Sequence, residues 1–129
     1  MIWYIAFGSA VGGAGRYLLG TTLQRLAGTT FPVGTLVINI LGSCVLGFLV
    51  RWAADSTAVT PEARALLTTG FCGGFTTFST FSAETVALLE DGDWGRAALY
   101  VAASVGLALA GTMLGIAAAR ELGAWRRAV

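Results

Sequence analysis

Four apolar stretches take up most of this 129-residue chain. They run over residues 2–23, 33–53, 63–89 and 97–119, with polar or charged breaks between them. A helix needs roughly 20 residues to cross the hydrocarbon core of a bilayer, and each stretch is long enough. Four such helices leave no room for a soluble domain. Charged residues make up only 12% of the chain, where an ordinary soluble domain carries about 25%. The expected fold class is an all-α membrane protein, one four-helix transmembrane domain over residues 1–129. The segment Met1–Gly13 lacks the basic region of a signal peptide and reads as the start of the first helix. Trp3 and Tyr4 suit an interfacial anchor there. Cys44 and Cys72 lie inside the second and third stretches and read as small buried hydrophobes, not as a disulfide framework. A net charge of +1 implies no nucleic-acid partner.

The third stretch is unlike a lipid-facing helix. From Gly70 to Ser82 it reads GFCGGFTTFSTFS. Glycines at 70, 73 and 74 weaken the helix. Hydroxyls follow at Thr76, Thr77, Ser79, Thr80 and Ser82, interleaved with Phe71, Phe75, Phe78 and Phe81. Irregular backbone and dense hydroxyls survive at bilayer depth only where protein or a water-filled path satisfies them. The segment is expected to be a broken helix lining a site.

Three further polar constellations sit in the other stretches. In the first, Gly8, Gly12, Gly13 and Gly15 precede Arg16. Glycines at i and i+4 let helices approach closely. Arg16 either snorkels to the far interface or fixes an anion near a vestibule. In the second, Asn39 stands among apolar residues in GTLVINILGS. It serves either as interhelical glue or as an amide donor to an anion, since an unpartnered amide in hydrocarbon is costly. In the fourth, Tyr100, Ser104 and Thr112 share one helical face. That stripe is either a hydrogen-bonded seam or one wall of a hydrated track.

The donors favour an anion. Cation pathways commonly use carboxylates, and Glu84 is the only acidic residue near the middle of a span. Phenylalanine ring edges carry partial positive charge. Phe78 and Phe81 are three residues apart and project on one side of a helical turn. Ring edges and hydroxyls replace part of an anion's hydration without a full charge that would trap it, and weak multi-site binding is what conduction needs. Ordinary packing remains the plainer reading of the phenylalanines.

All eight basic residues are arginine. With both termini on one side, five arginines (Arg51, Arg64, Arg120, Arg126, Arg127) fall on that side. Arg25 and Arg96 fall opposite, and Arg16 lies in or near the end of the first span. The positive-inside rule then gives a weak preference for cytoplasmic termini, one that permits both orientations. No internal duplication is visible, and four short helices cannot enclose a polar path alone, so an oligomer is expected.

GSAVGGAGRY, GTLVINILGS and above all GFCGGFTTFSTFS with Glu84 beyond it resemble the Fluc family of fluoride channels, also called CrcB-type proteins. The resemblance covers nearly the whole chain. Ser9 and Gly13 depart from the family's usual Gly and Ala, and Ala108 stands where relatives often carry a serine. The resemblance implies an antiparallel dual-topology dimer with two pores, exporting fluoride passively across the cytoplasmic membrane of a bacterium or archaeon and protecting it from fluoride. It implies a homodimer, or a pair with a related second chain. Phe78 and Phe81 would be the pore phenylalanines and Asn39 the pore asparagine. Ser79, Thr80 and Tyr100 would form the polar track, with Ser104 and Thr112 continuing it and Arg16 near a vestibule. A structural sodium ion at the dimer interface would be held by the main-chain carbonyls of Gly73 and Thr76 from each chain. A small proton-coupled multidrug antiporter would need a carboxylate in its cavity, usually in the first span, and this one has none. A purely structural membrane subunit would leave the hydroxyls beside a helix break unexplained.

Overall fold

A computed structural model describes residues 1–128, with side chains through Trp125. The described residues form helices and connecting turns. Helix α1 spans Ile2–Ala27 and α2 spans Val33–Asp55. The third stretch is composite. It opens with α3 (Pro61–Ala65), widens into a π-helix over Leu66–Cys72, and tightens again in the single turn α4 (Gly73–Phe75). After Thr76 and Thr77 the chain restarts as α5 (Phe78–Glu90). The last helix, α6, spans Trp94–Ala128. At 1.5 Å per residue its 35 residues measure roughly 50 Å, well beyond the ~30 Å hydrocarbon thickness. The sequence placed its end near Ala119. Arg120 and Glu121 dilute the apolar signal there, but the helix-forming run AARELGAW carries the backbone on.

Two helices, Val33–Asp55 and Trp94–Trp125, are long and apolar enough to cross a membrane, with mean hydropathies of 2.2 and 1.9. Only 22% and 17% of their apolar windows are buried within the chain. They are therefore not core helices of a soluble fold, whose apolar residues would be covered. Their uncovered faces, with Met113 and Leu114 on α6, and the exposed Phe7 and Leu18 of α1 need lipid or a partner.

Glycine sets how closely the helices approach. A Cβ at Gly8 would run into the Leu66 carbonyl, and one at Gly12 into that of Phe71. The π-helix thus presses its carbonyls onto α1, where Ser9 Oγ donates to the Gly70 carbonyl at 3.3 Å. A second seam joins α2 to α6. A Cβ at Gly47 would meet the Thr112 carbonyl, and one at Gly115 that of Cys44. Between lipid-bathed helices no hydrophobic force drives association, so this backbone proximity supplies the packing.

The connections are tied by side chains. Gln24 Nε2 donates to the carbonyls of Thr29 and Phe31 at 2.6 and 3.0 Å, and its Oε1 accepts from Gly34 N–H at 2.9 Å. Arg64 Nη2 donates to the Ala53 carbonyl at 2.7 Å, satisfying an orphan acceptor at the end of α2. Phe31, Leu36, Phe81, Leu88, Ala97 and Tyr100 form an apolar cluster that fixes α5 against α6.

These seams predict a contrast between glycines. Gly115→Ala and Gly12→Ala force backbone apart, and overpacking of this kind costs about 1–3 kcal/mol or more. At Gly106 a Cβ meets nothing within 4 Å, so Gly106→Ala gains about 0.8–1 kcal/mol of helix propensity. Thermal unfolding of purified protein in detergent should rank Gly106→Ala at or above wild type, with the other two well below it. Equal stability of all three would refute the seams.

Candidate functional site

The break lies at Thr76–Thr77, beyond the glycines that flagged it. Thr76 (φ −84°, ψ 159°) and Thr77 (φ −152°, ψ 110°) are extended. Gly70 and Gly74 keep helical conformation, and Cβ atoms there would clash with Ile5 and Ser9 of α1. Those two glycines therefore serve close packing, and the chain interruption has another cause. Asn39 provides it. Thr77 N–H donates to Asn39 Oδ1 at 2.8 Å, and Asn39 Nδ2 donates to the Thr77 carbonyl at 3.1 Å. One amide satisfies both main-chain groups of Thr77. The glue reading of Asn39 is thus realised, and the second Nδ2 hydrogen remains available to another acceptor.

Thr77 also starts the next helix. Its Oγ1 accepts from Thr80 N–H at 3.2 Å, a side-chain N-cap. The same hydroxyl donates to Thr80 Oγ1 at 2.9 Å and lies 3.3 Å from Ser79 Oγ. The three hydroxyls form one local cluster at the mouth of α5. Ser79 and Thr80 are exposed. Phe78 and Phe81 approach each other at 5.4 Å between ring centroids, tilted by 49°. Their environments differ sharply: Phe78 is 78% exposed and Phe81 only 9%. Phe81 also packs on Tyr100 at 5.2 Å.

A cavity of about 610 Å³ opens between α1, α2 and α5. Arg16, Thr35, Thr77, Thr80 and Glu84 are among the groups that line it. Arg16 Nη1 donates to the Thr76 carbonyl at 3.4 Å. Among the described residues the ion pairs are Arg51–Asp55 and Arg96–Asp93, so the Arg16 charge has no salt-bridge partner. Glu84 is held by two hydroxyls. Thr35 Oγ1 donates to its Oε1 at 2.8 Å, and Tyr100 Oη to its Oε2 at 2.6 Å.

The α6 stripe divides. Tyr100 is fully buried and bound to Glu84. The Ser104 hydroxyl is buried with no hydrogen-bond partner. Thr112 turns its hydroxyl back to the Ala108 carbonyl at 3.1 Å, and its backbone packs on Gly47. Thr112 therefore belongs to the α2–α6 seam. The structure gathers Arg16, Asn39 and Thr80 around the break, with Phe78, Ser79 and Phe81 on the adjoining turn and Tyr100 packed on Phe81 from α6, and leaves Thr112 apart.

The residues present fit a main-chain cation site. Gly73 is exposed, and a Cβ there would meet nothing within 4 Å. Its helical donor, Thr77 N–H, is turned to Asn39. Thr76's carbonyl carries only the long contact from Arg16. Among the described residues no cluster of His, Cys, Asp or Glu side chains could hold a metal, so carbonyl oxygens are the ligand chemistry on offer, and hard oxygens suit an alkali cation.

The family model described as CrcB-like protein, Camphor Resistance (CrcB), matches residues 3–116. The chain belongs to the CrcB family. A Geobacter sulfurreducens relative named fluoride-specific ion channel FluC is 52% identical over 118 residues, covering 92% of this chain and 95% of its own. Relatives of the same name from Roseobacter denitrificans and Rhizobium johnstonii are 49% and 44% identical. They cover 90% and 92% of this chain, and 92% and 94% of their own. Within this CrcB chain, sequence reasoning missed the partners of Glu84. Thr35 and Tyr100 lie 49 and 16 residues from it, and no local pattern joins them. The Thr77 cap was legible in principle, since threonine is a favoured residue just before the start of a helix. The isolated acid Glu84 was the one available signal for a buried network.

Tyr100→Phe keeps the ring contacts and removes one donor to Glu84. Loss of a hydrogen bond to a charged group costs about 1.5–3 kcal/mol. A melting temperature in detergent several degrees below wild type is expected, and an unchanged one would argue against the Tyr100–Glu84 bond.

Proposed function

We propose that this chain is a fluoride channel, letting fluoride leave the cell passively. The carrying observation is that relatives named fluoride-specific ion channel match over nine-tenths of this chain, including the broken helix. The geometry of the break supports the reading. Fluoride is small and strongly hydrated, so it must be met by many close donors. Ring edges of Phe78 and Phe81, the hydroxyls of Ser79 and Thr80, and the free Asn39 hydrogen are such donors, none fully charged. Arg16 draws anions into the cavity from water. Tyr100's hydroxyl reaches an anion only by leaving Glu84. Ser104's unpartnered hydroxyl continues the track on α6, and Ala108 offers nothing. No chemical step is required of the protein beyond replacing hydration along the way.

The working unit is an antiparallel dual-topology homodimer in the cytoplasmic membrane. Gly73, Phe78, Ser79 and Thr80 are uncovered by their own chain. Hydroxyls and a free carbonyl facing lipid are costly, so a second chain is the better cover. Gly73 and Thr76 carbonyls of both chains would hold a sodium ion, whose charge would tie the two breaks together. A cation is suited to carbonyls at a helix end.

Two outcomes follow. Phe78→Ile and Phe81→Ile should each cut fluoride flux from proteoliposomes by an order of magnitude or more, as read with a fluoride electrode. Phe81→Ile should cost about 1–3 kcal/mol, as for reshaping a packed site. Wild-type flux in both folded variants would remove the phenylalanines from the path. For topology, a cysteine at the C-terminus, in a variant lacking Cys44 and Cys72, should be labelled by impermeant reagent from both sides of the membrane. Labelling from one side alone would point to an oppositely inserted partner chain.

A further inference from the structure

In an unbroken helix the Gly73 carbonyl accepts from the amide four residues on, Thr77 N–H. Here the last such rung is Thr76 N–H to the Cys72 carbonyl at 3.0 Å. The next amide leaves the helix for Asn39 Oδ1 at 2.8 Å, and Asn39 Nδ2 returns to the Thr77 carbonyl at 3.1 Å. The side chain of α2 thus pairs with Thr77 as a neighbouring strand would. A continued helix would satisfy Thr77 N–H, Thr77 C=O and Gly73 C=O without any side chain. Something must hold the break against that alternative. Thr77 Oγ1 helps by capping α5, but it places no hold on the Thr77 main-chain groups. Asn39 holds both.

We propose that Asn39 opens the cation site: by drawing Thr77 N–H off the helix, it leaves the Gly73 carbonyl free to ligate. Asn39 is then a positioning residue for the ion as well as a group facing the path. The inference rests on the sodium reading above. With an apolar residue at position 39, the ready partner for Thr77 N–H is the Gly73 carbonyl itself. The helix gains a rung and the site loses a ligand.

Selective labelling makes the carbonyl visible. Gly73–Gly74 is one of two Gly–Gly pairs in the chain, the other being Gly12–Gly13. Glycine labelled with ¹³C at the carbonyl and ¹⁵N at the amide gives two carbonyl–amide correlations. Gly13→Ala, where a Cβ meets nothing within 4 Å, removes one and assigns the other. Spectra of the detergent-solubilised protein are compared in sodium chloride and in N-methylglucamine chloride.

The wild-type Gly73 resonance should move on adding sodium. In Asn39→Leu it should lie in the hydrogen-bonded range, with the sodium midpoint raised at least roughly tenfold, equivalent to about 1.4 kcal/mol. Asn39→Asp keeps an oxygen for Thr77 N–H and should retain the wild-type resonance. Should Asn39→Leu fail to assemble, wild type itself decides. A scalar coupling across the hydrogen bond should link Thr77 ¹⁵N to Asn39 ¹³Cγ, and its appearance at the Gly73 carbonyl instead would overturn the proposal. So would a Leu variant with unaltered resonance and sodium response. A wild-type resonance that ignores sodium but moves in Asn39→Leu would sink the sodium reading, while upholding Asn39 as the residue that frees the carbonyl.

Discussion

The reciprocal hydrogen bonds between Asn39 and Thr77 carry the site. At bilayer depth a main-chain amide and carbonyl without partners cost several kcal/mol. Two extended residues in the middle of an apolar stretch therefore need an outside hydrogen-bonding group, and a single carboxamide supplies a donor and an acceptor together. What the break achieves is local and specific. It turns Phe78, Ser79 and Thr80 outward at the start of a new helix, releases the Gly73 carbonyl, and gives Arg16 the Thr76 carbonyl to reach. None of these groups would be so placed on a continuous helix.

The glycine seams serve the same arrangement from behind. Gly8 and Gly12 let α1 lie against the carbonyls of the π-helix. That contact fixes the third stretch just ahead of its break, and Arg16, one turn further along α1, is carried to the right depth. On the other side Gly47, Gly111 and Gly115 bring α6 onto α2. Tyr100 is thereby placed against Phe81 and Glu84. The buried hydroxyls of Thr77 and Tyr100 are bonded, as a low-dielectric surrounding demands. Ser104 is the exception, with a buried hydroxyl and no partner within the chain.

Much of this was legible in the sequence because membrane burial leaves a coarse signal. Apolar length marks four stretches, and the helical segments fall within a few residues of them except at the end of α6. The crowding of hydroxyls after Gly74 located the interruption to within a few residues. Its cause was not legible. Glycines at 70, 73 and 74 suggested a weak helix, yet two of them are packing contacts, and the break follows from Asn39, 38 residues earlier. The Thr35–Glu84–Tyr100 network was hidden for the same reason, since it joins three helices. Thr112 matched the face of Tyr100 and Ser104 by periodicity, but its neighbour Gly47 brings α2 so close that it lies in the seam. Periodicity reports which face a residue shares and is silent on what covers that face.

If the proposed homodimer is the working unit, copies of this chain alone suffice for a selective anion path, with no energy source and no second protein. Fluoride efflux from vesicles reconstituted with the purified chain alone, with potassium and valinomycin dissipating the voltage, measures this directly. Rapid release of fluoride down its gradient, with chloride release at the level of empty vesicles, is the predicted result. Fluoride release no faster than from empty vesicles, from protein shown to be folded and inserted, would contradict it.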